Sequence, residues 1–162
     1  MTFYDIIDSP VGRLGCAVDG AGNVVAVSFL QERDEDEFVR SLGQRARRDP
    51  IRTRALTREL NDYFKGNLRH FNLPLKLRGT DFQKQVWTAL CEIPYGETRS
   101  YAQIARAIGR PSAVRAVGAA NGANPIPIVV PCHRVVGSDG SMTGFGGGVE
   151  TKVRLLSLEK SR

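Results

Sequence analysis

The chain has 162 residues, with 23 Lys and Arg against 17 Asp and Glu for a net charge of +6, and hydrophobic residues make up 41% of it. This composition excludes a disordered chain, and no apolar run approaches the ~18 residues of a membrane-spanning helix. Three Cys is an odd count far below that of a disulfide scaffold, so free thiols in a reducing cytosol are expected. The positive surplus favours a polyanionic partner.

Residues 1–12, MTFYDIIDSPVG, have no basic start, apolar stretch and small-residue cleavage site, so no secretory leader is expected. The first thirty residues read as β-structure. Phe3 to Ile7 is apolar and partly β-branched, Ser9-Pro10-Val11-Gly12 is turn chemistry, and Leu14–Val18 and Val24–Phe29 flank a hairpin signal at 19–23. Residues 31–50 are dense in both charge signs and predict a solvated helix and linker, acidic early and basic late as the helix dipole prefers. Leu56, Leu60, Tyr63 and Phe64 follow i, i+4, i+7, i+8 and predict a helix stopped by Gly66. Leu73, Leu75 and Leu77 alternate, and Pro74 confines that strand to an edge.

The composition shifts near residues 78–81, which predicts a boundary between a domain at 1–77 and one at 78–162. Thr80 with Gln83 is a capping-box pattern opening a helix whose face is Phe82, Val86, Ala89, Leu90 and Ile93, ending near Pro94-Tyr95-Gly96. Ser100 with Gln103 repeats the pattern before a short helix closed by Gly109. A third helix over 112–121 follows after a short break, a spacing compatible with a helix-turn-helix. Stepping by three and four from Arg115 gives Gly118, Ala119 and Gly122, so one face holds a single long cation over nearly bare backbone. Such a slim helix can approach a groove closely, and its Arg can read the groove or enter the base stack. The same residues also suit an Ala-rich helix packed against its neighbours with Arg115 in solvent.

Cys132 lies in N-P-I-P-I-V-V-P-C-H-R-V-V, with a base and a cation directly after it. His or Arg nearby can lower a thiol pKa and make the thiolate nucleophile, provided a bent backbone brings neighbouring side chains to one side. Cys16 and Cys91 read as small buried hydrophobes. Cys16, His70, Cys91, Cys132 and His133 lack zinc-ligand spacing, so no metal is expected. Six of the twelve residues at 137–148 are Gly, too many for a strand or helix interior, which leaves backbone groups open to a flat ligand or simply makes a surface loop. The last helix, Val149 to Lys160, carries Glu159, a candidate third member of a Cys–His–Glu triad.

Asn124-Pro125 leading into Pro131-Cys132-His133-Arg134-Val135, the glycine-rich loop and the Leu155-Leu156…Glu159 helix together resemble the O-6-alkylguanine-DNA alkyltransferase family. The resemblance extends upstream through Thr80-Asp81-Phe82-Gln83…Val86-Trp87, Ile93-Pro94-Tyr95-Gly96 and Arg115-Ala116-Val117-Gly118. It covers 78–160 strongly and 1–77 in general layout. It implies an α+β fold, with a small N-terminal antiparallel-sheet α/β domain (ribonuclease H-like) before a helical, winged-helix-like domain carrying the active cysteine. It implies a DNA repair protein that flips O-6-alkylguanine, and O-4-alkylthymine, out of duplex DNA and transfers the alkyl group irreversibly to its own cysteine, one turnover per molecule. By motif, Cys132 is the alkyl acceptor, His133 takes its proton through a water, Glu159 orients His133, Asn124 supports the backbone and Tyr101 helps rotate the nucleotide and protonate the purine. Arg115 fills the vacated stack. The DNA-facing set is Ser100, Tyr101, Arg115, Ala116, Gly118, Ala119 and Asn121, and the base pocket is Pro127, Val135, Met142, Phe145 and Gly146. The implied partner is double-stranded DNA containing alkylated guanine, with no membrane and no cofactor. The expected protein is a cytoplasmic monomer, nucleoid-associated when on DNA, and whether molecules are cooperative along DNA stays open.

The chain departs from the family pattern at several points. Phe145 occupies a position where many members carry Tyr, so the ring walls the pocket without donating a hydrogen bond, and Gly146 beside it widens the space toward larger alkyl groups. The N-terminal Cys and His that hold zinc in some members are missing, and the phosphotriester-sensing, transcription-activating segment of longer members is not expected. Two other readings of the residues stay open: a non-catalytic sensor of alkylated guanine, and a Cys–His–Glu acyl hydrolase that turns over repeatedly.

Overall fold

A computed structural model of the protein describes residues 1–31, 33–142 and 145–160, so Thr143 and Gly144 of the glycine-rich loop lie outside the described residues. The chain divides into two compact units, Met1–Leu77 and Arg78–Arg162.

The first unit is built on a four-stranded sheet. Strands β1 (Thr2–Ile7), β2 (Leu14–Asp19) and β3 (Val24–Phe29) run antiparallel in sequence, with Phe3 opposite Val18 and Leu14 opposite Phe29. The β2–β3 turn is held by the Asp19 carboxylate, which accepts from the Ala21 and Asn23 amides, both at 2.9 Å. Gly22 supplies the positive φ of 87° that this turn requires. Helix α1 (Glu35–Ser41) is capped by Asp34 and buries only Phe38. A Cβ on Gly15 would fall 2.5 Å from the Phe38 ring, so the glycine in β2 is a packing requirement. The expected linker after α1 instead contains strand β4 (Ala46–Arg48), which lies parallel to β1 and completes the order β3-β2-β1-β4. Three residues pairing through backbone alone leave no apolar alternation to read. Helix α2 (Arg54–Phe64) buries Leu56, Leu60, Tyr63 and Phe64, the four positions its spacing predicts. The expected Leu73–Leu77 strand is reduced to one parallel bridge at Leu75, where Val24 donates to the Pro74 carbonyl and accepts from Lys76. Pro74 has no N–H with which to extend it.

The second unit is helical. Helix α3 (Asp81–Cys91) opens with a full capping box, Thr80 and Gln83 each satisfying the other's backbone N–H. Its inner face is Val86, Trp87 and Leu90, and the Trp87 indole donates to the Ala120 carbonyl at 2.8 Å. Cys91, expected to be buried, is exposed, because it falls past that face beside Glu92 at the helix end. Helix α4 (Tyr101–Ala107) has a second capping box from Ser100 and Gln103, and α5 (Val114–Gly122) packs against both α3 and α4. A short parallel ladder joins β5 (Arg99–Ser100) to β6 (Val135–Val136), and α6 (Val149–Lys160) closes the unit. That ladder matters for the site. It fixes the entry to α4, where Tyr101 begins, beside the residues that follow Cys132. The whole is α+β, with an antiparallel-rich sheet and a helical unit, as expected.

Candidate active site

The site is assembled where α5 hands over to the segment 123–131. Ile126, Pro127, Ile128, Val129, Val130 and Pro131 are all buried. Their backbone cannot reach water, so its polar groups are met locally. Asn124 does much of this: its Nδ2 donates to the Val130 carbonyl and its Oδ1 accepts from the Ile126 amide, both at 2.9 Å. Ile128 has a φ of 73°, a left-handed conformation that a β-branched residue adopts only under constraint. The chain then enters a 3-10 turn at Cys132–Arg134. With three residues per turn, the turn breaks the alternation of an extended segment, and Cys132, His133 and Arg134 are all buried.

His133 and Glu159 meet at 2.7 Å, Nε2 to Oε2, with neither side chain more than 1% exposed. A carboxylate only accepts, so Nε2 carries the hydrogen and the lone pair of a neutral imidazole lies on Nδ1. That nitrogen has no hydrogen-bond partner among the described residues. Glu159 also accepts from Arg134, at 2.9 Å from Nε and 3.0 Å from Nη2, and from the Gly96 amide at 3.3 Å. Arg134 spends a further N–H on the Ile93 carbonyl. One buried carboxylate is therefore held by a bidentate guanidinium, an imidazole and a peptide N–H, the arrangement in which a buried charge is best compensated.

Cys132 is 3% exposed. Burial pushes its thiol up to about 11, against the pull of the Asn124 side chain, the Lys152 charge and the peptide N–H groups of Cys132 and His133. Burial likewise holds His133 below its usual value, opposed chiefly by Glu159. Lys152 is fully buried, its Nζ 5.8 Å from the Tyr101 ring centroid, and burial lowers its pKa while Cys132 raises it.

The residues expected at the site are placed as follows. Ser100 caps α4, and half-buried Tyr101 starts it with its ring across Gly118 of α5. Arg115, Ala116 and Ala119 are exposed and Gly118 is half-buried. Asn121, expected on the DNA-facing surface, is instead 1% exposed and donates from Nδ2 to the Cys132 carbonyl at 3.3 Å, because the inner face of α5 runs through Val117, Ala120 and Asn121. Pro127, Val135 and Phe145 are buried, Met142 is half-buried and Gly146 is exposed, near the Gly122 carbonyl. Arg134 and Lys152 were not foreseen as site residues. A signal for Lys152 was present, since Lys152, Leu155, Leu156 and Glu159 fall at i, i+3, i+4 and i+7 on one face of α6.

Fold and site thus define a class: a protein with a helix-turn-helix-like unit and a buried thiol beside a His–Glu–Arg network. Residues 81–161 match the DNA-binding domain of 6-O-methylguanine DNA methyltransferase and residues 2–77 match its ribonuclease-like domain. The chain belongs to that family. It is 50% identical over 163 residues to a methylated-DNA–protein-cysteine methyltransferase of Mycobacterium bovis, covering 100% of this chain and 94% of the relative. A crystal structure of the Mycobacterium tuberculosis O6-methylguanine methyltransferase superposes with a TM-score of 0.90 at 50% identity, covering 100% of this chain and 94% of that one. A second, of the M. tuberculosis protein in complex with DNA, gives 0.88 at 47% identity over 98% and 93%.

Proposed function

We propose that the protein repairs duplex DNA by transferring the alkyl group of O-6-alkylguanine, and of O-4-alkylthymine, to Cys132, each molecule acting once. The observation that carries the proposal is the buried Cys132 thiol in one turn with His133, whose Nε2 is held by Glu159 and whose Nδ1 is left as the base. Residues 78–162 bind DNA and perform the transfer, and residues 1–77 form the ribonuclease H-like α/β unit. The protein works as a cytoplasmic monomer that joins the nucleoid when on DNA.

The chemistry follows from the groups present. His133 Nδ1 takes the thiol proton through a water, and Glu159 stabilises the imidazolium that results. The thiolate sulfur forms a bond to the alkyl carbon as the carbon–oxygen bond breaks, and the electron pair leaves with the guanine. Tyr101 supplies a proton to the purine, and the thiol proton restores Tyr101, so the net change exchanges the thiol hydrogen for the alkyl group. A thioether has no leaving group comparable to guanine, so the reaction stops there. Lys152 favours the thiolate by charge. Base flipping costs a few kcal/mol, and Arg115, exposed on α5, fills the gap left in the stack. The pocket for the base is formed by Pro127, Val135, Met142, Phe145 and Gly146.

The test is intact mass after incubation with a duplex containing O-6-methylguanine. One methyl adduct, on the peptide holding Cys132, is expected. Repaired DNA with unmodified protein, or no repair, overturns the proposal.

A further inference from the structure

We infer that Arg99 binds the phosphate of the flipped nucleotide and is held in reserve by Glu97, whose carboxylate keeps the guanidinium beside the active turn until a phosphodiester displaces it. This rests on the alkyl-transfer reading.

The segment that carries Arg99 is pinned to the site at both ends. Upstream, the Gly96 amide donates to Glu159 Oε1 at 3.3 Å. Downstream, Ser100 caps α4, and β5 runs parallel to β6 with Arg99 opposite Val135 and Ser100 opposite Val136. Paired strands lie about 4.8 Å apart. The Arg99 backbone therefore stands one strand away from Val135, the residue that follows the Cys132–Arg134 turn. Two other cations belong to this site, Arg134 in the turn and Lys152 on α6, and both are buried. Arg134 is also committed to Glu159 and to the Ile93 carbonyl. Arg99 differs, with 36% of its side chain exposed. Its Nη2 meets Glu97 Oε1 at 3.1 Å, and its Nη1 donates to the Thr98 carbonyl at 2.9 Å. The Glu97 side chain is 54% exposed, and an ion pair so open to water holds its members weakly.

The ligand follows from covalent structure. A nucleotide that rotates out of the duplex carries its phosphates with it, so a base seated in the pocket brings a phosphodiester to the rim. That anion does not reach Arg134 or Lys152, which the fold has closed over. The Arg99 guanidinium is within the opened rim, and its planar fork suits two phosphate oxygens at once. Glu97 competes for the same N–H groups. When phosphate takes them, the exposed carboxylate is released to water, so Arg99 exchanges one anion for another without any change in proton count. Glu97 thus lowers the affinity of the rim for phosphate, and Arg99 raises it.

Single-turnover kinetics test this, with Arg99→Gln, Glu97→Gln and the double variant. Two substrates are used: a duplex containing O-6-methylguanine, and free O-6-benzylguanine, which has no phosphate and reports whether the site is intact. Arg99→Gln is expected to raise the half-saturating concentration for the duplex about tenfold, the scale of one hydrogen bond to a charged group. Glu97→Gln is expected to lower it about threefold, because phosphate no longer displaces a carboxylate. In the Arg99→Gln background, Glu97→Gln is expected to change it by less than about 1.5-fold, since the two residues act through one contact. No gain from Glu97→Gln, or an equal gain in the absence of Arg99, overturns the assignment. So does an Arg99→Gln loss that falls equally on O-6-benzylguanine. Each of these results, with a wild-type protein that reacts, leaves the alkyl-transfer reading standing. A wild-type protein that takes up no alkyl group from either substrate overturns that reading as well.

Discussion

Glu159→Gln changes one oxygen to nitrogen and removes the charge on which His133, Arg134 and Gly96 converge. Without that charge the imidazolium formed when His133 takes the thiol proton loses its counter-ion, so the thiol becomes harder to ionise. The iodoacetamide labelling profile of Cys132 is expected to move to higher pH, and an unmoved profile would count against the triad. Arg134→Met acts differently, because it leaves a buried carboxylate short of its bidentate partner. Loss of about 3–5 kcal/mol is expected in urea unfolding, the range for breaking a buried pair from one side. Cys132, His133 and Glu159 were legible as a trio from residue type and motif. Arg134 stood in the same motif, but its inward direction depends on the 3-10 turn, and no local pattern announces three consecutive buried side chains. Asn121 turns inward rather than outward for a related reason: helix periodicity from Arg115 describes the outer face of α5, and which neighbour covers the other face is a tertiary matter.

At the scale of elements, α5 presents Arg115 outward and Asn121 inward against the Cys132 carbonyl, so one helix carries both the proposed DNA contact and a contact to the nucleophile's backbone. Arg115→Ala is expected to slow repair of a duplex containing O-6-methylguanine by tenfold or more, about the value of losing one contact that offsets flipping. Reaction with free O-6-benzylguanine, which needs no flipping, should be spared, and equal losses on both substrates would contradict the role. Helix starts were readable because capping boxes are local chemistry: Thr80 with Gln83 and Ser100 with Gln103 form as written. Strands β4, β5 and β6 were not readable. Each has two or three residues, and each pairs with a partner brought near only by the fold, so nothing in its own alternation marks it. The β5–β6 ladder nevertheless sets Tyr101 beside the active turn, which shows how a functional distance can rest on the least legible element.

For the whole molecule, the +6 surplus is unevenly shared. Residues 1–77 hold twelve Lys and Arg against eleven Asp and Glu, whereas residues 78–162 hold eleven against six. The polyanion signal therefore belongs to the unit with the helix-turn-helix, and one of its cations, Arg134, is buried against Glu159 and unavailable to phosphate. Arg106 and Arg110 are exposed at the end of α4 and just after it, and on the proposed reading, in which α5 enters a groove, they are the cations expected to meet the backbone of the duplex. Neutralising phosphates releases counter-ions, so affinity should fall steeply with salt, with a slope set by the number of contacts. Replacing Arg106 and Arg110 together by Gln is expected to reduce the slope of log K against log salt by about 2, roughly 1 per lost phosphate contact. The charge-matched control is Arg54 and Arg58, exposed on α2 of the first unit, and their replacement should leave the slope unchanged. Fluorescence anisotropy with an undamaged duplex across a salt series measures both. Equal changes from the two pairs would mean that net charge alone, and not the placement of cations around α4 and α5, governs binding.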